Sequence, residues 1–259
     1  MASFLSYNVN GIRAALKKDL FGWLKKVNPD VVCIQETKAN EDQLDPEELK
    51  SLGYHYYFHS AQKKGYSGVA IFSKEEPESM SFGMENEKYD SEGRVLRINF
   101  KDISVFSCYF PNGGSGEERH NYKMDFLKDF TDYIVELRKE IPNLMVMGDI
   151  NICHEAIDIH NPISNKNSSG FLPEEREWFS QFLETGMIDS FRHLNKEPGN
   201  YTWWSYRFNS RAKNLGWRLD YGLITEDLLP KLERSVILSE AVHSDHCPIL
   251  VELDVNLKN

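Results

Sequence analysis

Short apolar runs that stop abruptly at polar residues recur along this chain, and they constrain its fold more than any other feature. Phe4-Leu5-Ser6-Tyr7 runs into Asn8-Val9-Asn10-Gly11, and Val31-Val32-Cys33-Ile34 runs into Gln35-Glu36-Thr37-Lys38. Val105-Phe106-Ser107-Cys108 leads into Tyr109-Phe110-Pro111-Asn112-Gly113, and Leu144-Met145-Val146-Met147 leads into Gly148-Asp149-Ile150-Asn151. Each reads as a short buried strand with a polar tip. In a layered α/β protein, strands that finish along one sheet edge bring their tips together, and ligand clefts form at such edges. Asp149 and Asn151 stand two apart, so in extended backbone they are expected to face the same way. Asp220 falls within Arg218-Leu219-Asp220-Tyr221-Gly222-Leu223-Ile224, a carboxylate in the opening of a seventh or eighth strand, where a sequence concerned only with burial avoids one.

Strand-like runs are expected at about 3–8, 31–35, 54–59, 68–73, 94–100, 103–109, 144–148, 218–225 and 248–253. Helical patterns lie near 13–27, 41–51, 118–140 and 173–184. Pro173 followed by Glu174, Glu175 and Glu177 is a good helix start, with acidic side chains at the positive end of the dipole. The pairs within 54–73 and 94–109 leave no room for an intervening helix, which implies hairpins and mixed sheets. Two long polar stretches, 149–172 and 195–217, are too long to be idle connections in a compact chain.

At 259 residues and 41% hydrophobic content the chain can bury a substantial core, and no linker-like or low-complexity run divides it, so one domain across 1–259 is expected. No charged, apolar leader opens the sequence and no apolar run approaches membrane-spanning length, which points to the cytoplasm of a bacterium or the nucleus and cytoplasm of a eukaryote. Cys33, Cys108, Cys153 and Cys247 lack metal-site or redox-motif spacing and read as reduced, buried thiols.

Near the C-terminus, Ser244-Asp245-His246-Cys247-Pro248 sets a carboxylate beside the one side chain that changes protonation near neutral pH. Together with Tyr7-Asn8-Val9-Asn10-Gly11-Ile12-Arg13, Gln35-Glu36-Thr37-Lys38, Cys108 to Gly113, Gly148-Asp149-Ile150-Asn151, Gly170-Phe171 with Glu175-Arg176, and Trp217-Arg218-Leu219-Asp220-Tyr221, this run resembles the ordered motif set of the exonuclease III family of apurinic/apyrimidinic endonucleases. The resemblance implies a four-layer α/β/β/α sandwich with two central mixed sheets. It also implies a Mg²⁺-dependent hydrolase, with Mn²⁺ as a substitute, that acts as a monomer on double-stranded DNA and incises 5′ to an abasic site to leave a 3′-hydroxyl. 3′–5′ exonuclease and 3′-phosphodiesterase activities accompany that expectation.

Phosphodiester hydrolysis needs charge neutralisation on the phosphate, a placed and activated water, and a stabilised leaving alkoxide. Glu36 is a hard oxygen ligand of the kind Mg²⁺ takes. The resemblance gives it that role with Asn8 beside it, and adds Asp149, Asn151, Asp245 and His246 to the metal's surroundings. Asp149 is then expected to orient or deprotonate the water, with Asn151 fixing its position. Asp220 is expected to hold His246 in one tautomer against the phosphate. Tyr109 and Asn112 offer a phenol and an amide to the same oxygens, and Asp245 assists the metal or the leaving group. Which of Tyr109, Asp149 and Asp245 carries each proton is left open at this level.

By the same resemblance, Trp203, Trp217 and Leu219 line a small apolar pocket for a flipped-out abasic sugar. Core packing is the expectation for Trp204. Arg207 is placed to enter the DNA groove, and Asn165 to contact the backbone. The net charge of −10 argues against a generally sticky nucleic-acid binder, so binding is expected to rest on a basic rim drawn from Arg13, Lys17, Lys18, Lys63, Lys64, Lys166, Arg207, Arg211 and Lys213. The chain departs from the family pattern at Asn10, where many relatives have aspartate, at Ser168, where relatives often have asparagine, and at Ser115, where some have arginine. Superfamily phosphoinositide phosphatases and sphingomyelinases, phosphatases and phosphodiesterases of non-nucleic-acid substrates, share the metal-site logic but lack the Trp217–Tyr221 segment and the asparagine-rich 161–167 loop. An inactive binding module would show gaps among Glu36, Asp149, Asp220 and His246, and there are none.

Overall fold

The computed structural model describes residues 1–258. Strands run Ala2–Asn8 (β1), Val31–Gln35 (β2), His55–His59 (β3), Val69–Ser73 (β4), Ser79–Phe82 (β5), Val95–Asn99 (β6), Ser104–Tyr109 (β7), Leu144–Asp149 (β8), Met187–Asp189 (β9), Asp220–Thr225 (β10), Leu232–Ile237 (β11) and Ile249–Leu253 (β12). They form two six-stranded sheets, ordered β11-β12-β1-β2-β4-β3 and β5-β6-β7-β8-β10-β9. Both are mixed. The parallel pairs β1/β2 and β7/β8 lie at their centres, and the hairpins β3/β4 and β6/β7 are antiparallel, as the short spacings require.

The sheets pack face to face. Phe4, Val31, Cys33 and Ile71 of the first meet Leu96, Val105, Met145 and Met147 of the second in one fully buried cluster. The outer face of the second sheet is covered by the helices Glu117–Leu137 and Pro173–Glu184, through Phe126, Phe130, Phe179 and Phe182. The outer face of the first is covered by Ile12–Leu16 and Leu20–Val27, through Ile12, Ala15, Leu20 and Leu24. The result is the expected α/β/β/α sandwich. Both central strands of each sheet are buried on two faces, which explains why they read as unbroken apolar runs.

Several expectations need correction. The pattern at 13–27 is two helices, because Asp19 takes a left-handed φ of 65° between them. The stretch 41–51 is a 3₁₀ turn, Glu41–Gln43, then a helix that starts at Pro46, as proline at a first helical position favours. Asp220 opens the tenth strand rather than the seventh or eighth, since β5 and β9, which precede it, are not legible in the sequence, and neither is β11 after it. All three are edge strands, but the edge strand β3 is legible through its aromatic run; β5 and β11 have few buried side chains and β9 is only three residues long. The four cysteines are free and buried, and no described helix is long and apolar enough to cross a membrane.

Candidate active site

Strand direction gathers the polar tips at one end of the sandwich. β1 and β2 run parallel and end side by side at Asn8 and Gln35, one residue short of Glu36. On the second sheet Tyr109 and Asp220 flank Asp149 in register, because β7 runs parallel and β10 antiparallel to β8. The loop leading into β12, which pairs antiparallel with β1, brings Asp245 and His246 to the same end. The cleft there has a volume of about 200 Å³ and is lined by Glu36, Tyr109, Asn112, Asp149, Asn151, Ser169, Gly170, Trp203, Trp217, Leu219, Asp245 and His246.

Ligand atoms of Glu36, Asp149 and His246 lie within 4.8 Å of one another. Asn8 ties the two sheets together beneath them, its amide donating to Glu36 and to Asp149 at 2.9 Å each. Both donors of that amide are thereby used to hold carboxylates. Asn151 sits past the end of β8 with a left-handed φ of 56°, so the expected extended alignment with Asp149 is replaced by a turn. The turn lets its backbone N–H donate to Asp149 Oδ1 at 2.9 Å and its amide to Phe110 O at 3.0 Å. Asn112 in turn donates to Asn151 Oδ1 at 3.2 Å.

Asp149 is buried between like charges. Burial pushes its carboxyl up to about 7, the nearby His246 opposing this and Asp220 and Glu36 reinforcing it. Burial alone would lower the His246 imidazole. Asp220, whose carboxylate meets Nδ1 at 2.8 Å, outweighs that penalty, and with Asp149 and Asp245 nearby the pKa is raised to about 10. His246 is therefore an imidazolium at neutral pH, with Nε2 3.9 Å from Asp149. The Tyr109 phenol is held well above its usual range by burial and by Glu36 and Asp149. Asp245 goes the other way. Burial opposes its charge, but His246 and hydrogen bonds from Asn10, Trp203 and Ser244 keep its carboxyl low.

Beyond this catalytic floor, Trp203 and Trp217 meet edge to face at 6.0 Å and pack on Leu219, Phe171 and Ile159. The backbone pairs Trp203 with both Trp217 and His246, so the wall and the histidine loop are one unit. Trp204 is buried, as expected. Arg207 is exposed and outside the cleft, and Asn165 spends its amide on the carbonyls of His160 and Asn161. Of the expected basic rim, Arg13, Lys17 and Lys18 line a groove of about 700 Å³ with Lys38, next to Glu36. Arg211 is not part of a rim. It stacks on Trp204 and donates to the carbonyls of Ser239, Ala241 and Ser244.

Some residues that shape the site carried no assigned role in the sequence reading. Lys38 meets Glu36 at 2.7 Å. Arg94, fully buried, donates to the Tyr109 carbonyl at 2.8 Å and lies 5.0 Å from its ring centre. Thr202 Oγ1 accepts from the N–H groups of Leu219 and Asp220. Lys123 is buried on the apolar stripe it shares with Phe126, Leu127, Phe130 and Ile134. A lysine at a stripe position is the one sequence signal that marks such a residue, since an unpaired buried ammonium is too costly to keep without a partner.

Two sheets whose tips bring carboxylates, an imidazolium and asparagines to a cleft of this shape define a member of the Endonuclease/Exonuclease/phosphatase family: that family matches residues 5–246, and the chain belongs to it. Within it, the similarity runs to the exonuclease III-like AP endonucleases. The chain is 43% identical to the exodeoxyribonuclease of Bacillus subtilis, covering 98% of this chain and 99% of the relative. The structure of an AP endonuclease from Archaeoglobus fulgidus superimposes with a TM-score of 0.89 at 33% identity, covering 98% of this chain and all of that one. The 3′ phosphatase NExo from Neisseria, solved bound to a product DNA hairpin, superimposes with a TM-score of 0.91 at 27% identity over 98% of this chain and 100% of that one.

Proposed function

We propose that this chain is a DNA repair nuclease that hydrolyses the phosphodiester 5′ to an abasic site in duplex DNA, working as a monomeric catalytic domain across 1–259 in the cytoplasm or nucleus. The observation that carries the reading is the placement of Glu36, Asp149 and His246 within 4.8 Å of one another at the floor of a cleft walled by Trp203, Trp217 and Leu219. The donor set fits Mg²⁺. Its carboxylate oxygens are hard ligands, Asn8 holds two of the carboxylates ready, and a site with few protein ligands leaves positions for substrate phosphate and water. Glu36 would be the principal ligand, with Asn8, Asp149, Asn151 and Asp245 around it, while the charged His246 would lie beside the ion and face the phosphate, and Mn²⁺ fits the same oxygen set. When bound, the ion supplies charge neutralisation at the phosphate.

The chain's own groups divide the remaining work. Asp149, with a carboxyl near 7, is suited to take a proton from the attacking water at neutral pH. Asn151 fixes its orientation. The His246 imidazolium, held by Asp220, donates to a non-bridging phosphoryl oxygen as charge gathers there, and the amide of Asn112 and the protonated phenol of Tyr109 stand on the same cleft wall. The bond from phosphorus to O3′ breaks, and the leaving O3′ takes up a proton from solvent water to become a 3′-hydroxyl. The indole wall accepts a deoxyribose without a base and collides with a complete nucleotide. Arg207, exposed outside the cleft, is available to the groove, whereas the amide of Asn165 is held by the carbonyls of His160 and Asn161. Incubation with a duplex bearing one abasic analogue, in Mg²⁺ or EDTA, tests the reading: a single metal-dependent cut with a 3′-hydroxyl end is expected, and cleavage with no preference for the lesion contradicts it.

A further inference from the structure

Lys123 and Glu175 form an ion pair with neither side chain exposed, 2.7 Å apart. They come from the two helices that cover the second sheet, and neither lines the cleft. What they hold does. Lys123 Nζ donates to the Asn151 carbonyl at 2.9 Å, and Glu175 Oε2 accepts from the backbone N–H groups of Gly170 at 2.6 Å and Leu172 at 3.0 Å. Gly170 is the point where the two halves of the site touch. A Cβ there would stand 3.1 Å from the Trp217 ring and 3.2 Å from the Asn151 carbonyl oxygen, so its backbone lies wedged between the apolar wall and the catalytic floor.

We propose that Lys123 and Glu175 are positioning residues that lock the Trp217 wall to the Asn151–Asp149 floor, and so set how strongly incision discriminates a lesion from a normal nucleotide. The proposal rests on the reading of the wall as a lesion pocket. A buried ion pair is weak as a source of stability, because desolvation offsets much of the attraction, but its geometry is specific. Here every strong hydrogen bond of the pair ends on the partner or on backbone of residues 151–172.

The test separates positioning from scaffold support. Lys123→Met and Glu175→Gln each leave one buried charge without its partner and are expected to lose stability. The double variant K123M/E175Q removes both charges and is expected to recover much of it. Single-turnover rates are compared on two duplexes that differ only at an abasic analogue. The expected result is a double variant that folds yet shows a lesion-to-normal ratio narrowed about tenfold, the scale that small misplacements produce. Fluorine NMR of 5-fluorotryptophan protein, with the Trp217 resonance assigned from W217F, is expected to show that signal shifted or broadened without any substrate. A ratio that returns to the wild-type value along with stability, or an unmoved Trp217 resonance, overturns the proposal. If wild-type protein shows no lesion preference, the functional reading falls and the fluorine signal alone decides whether the lock exists.

Discussion

At the level of single residues, Asp149 and His246 are tuned in a way that fixes the pH dependence of the reaction. A base whose carboxyl is pushed up to about 7 is silent below that and active above it, and an imidazolium with a pKa of about 10 is lost only above that value. The rate is therefore expected to rise as pH passes about 7 and to fall toward 10, a bell described by the coupled pair rather than by either group alone. Asp220 is the main group holding His246 charged, so Asp220→Asn should lower the rate by orders of magnitude and draw the alkaline limb toward neutrality. An alkaline limb that stays in place in a folded D220N protein excludes His246 from that limb. Glu36→Gln tests the metal. Mg²⁺ needed for half-maximal incision is expected to rise at least about tenfold, with calorimetric Mg²⁺ binding weakened to match, while folding is unchanged; an unaltered titration removes Glu36 from the ligand role. The identities of Glu36, Asp149, Asp220 and His246 were legible because each breaks an apolar run or stands in a specific motif. Arg94 and Thr202 act through contacts between separate segments, and only the fold brings those segments together.

Among the secondary-structure elements, legibility follows burial. The central strands β1, β2, β7 and β8 are legible within a residue of their ends because both faces are covered, whereas β5 and β11 carry mostly exposed or half-buried side chains and β9 is only three residues long. The helix Pro173–Glu184 was readable at both ends, since proline and an acidic first turn mark its start. The break at Asp19 was not, because the surrounding Lys17, Lys18 and Asp19 fit a helical surface as well as a turn. Gly148 shows how an element positions the site. It faces Cys108 across the parallel β7/β8 pair, and a Cβ there would lie 1.9 Å from the Cys108 carbonyl oxygen. Gly148→Ala is expected to cost about 1–3 kcal/mol of stability, as over-packing does, and to reduce incision by spreading the strands that carry Tyr109 and Asp149. Denaturant unfolding together with the incision rate checks this, and unchanged values for both would show that the strand tips tolerate the displacement.

For the whole molecule, two stacked sheets solve a problem that one sheet cannot. Each contributes part of the chemistry, Asn8 and Glu36 from the first, Tyr109, Asp149 and Asp220 from the second, and Asn8 bonds across the junction. The fold class was recoverable from alternating runs and motif order, but the shape of the cleft was not, because its walls come from the two long polar segments whose conformations depend on buried ion pairs such as Arg218 with Asp158 and Asp189. The net charge of −10 is reconciled with a nucleic-acid substrate by its distribution, with Arg13, Lys17, Lys18 and Lys38 lining one groove beside Glu36. The central claim is that this cleft selects a baseless sugar by excluding a complete nucleotide. Its most direct measurement compares single-turnover incision by the wild type and by Trp217→Ala on two duplexes that differ only at an abasic analogue, in Mg²⁺, with folding verified by near-UV circular dichroism. The wild type is expected to cut 5′ to the lesion far faster than at the matched normal position, and W217A to lose rate at the lesion while keeping or gaining rate at the normal nucleotide. Equal losses on both duplexes would contradict selection by exclusion and reduce Trp217 to a part of the scaffold.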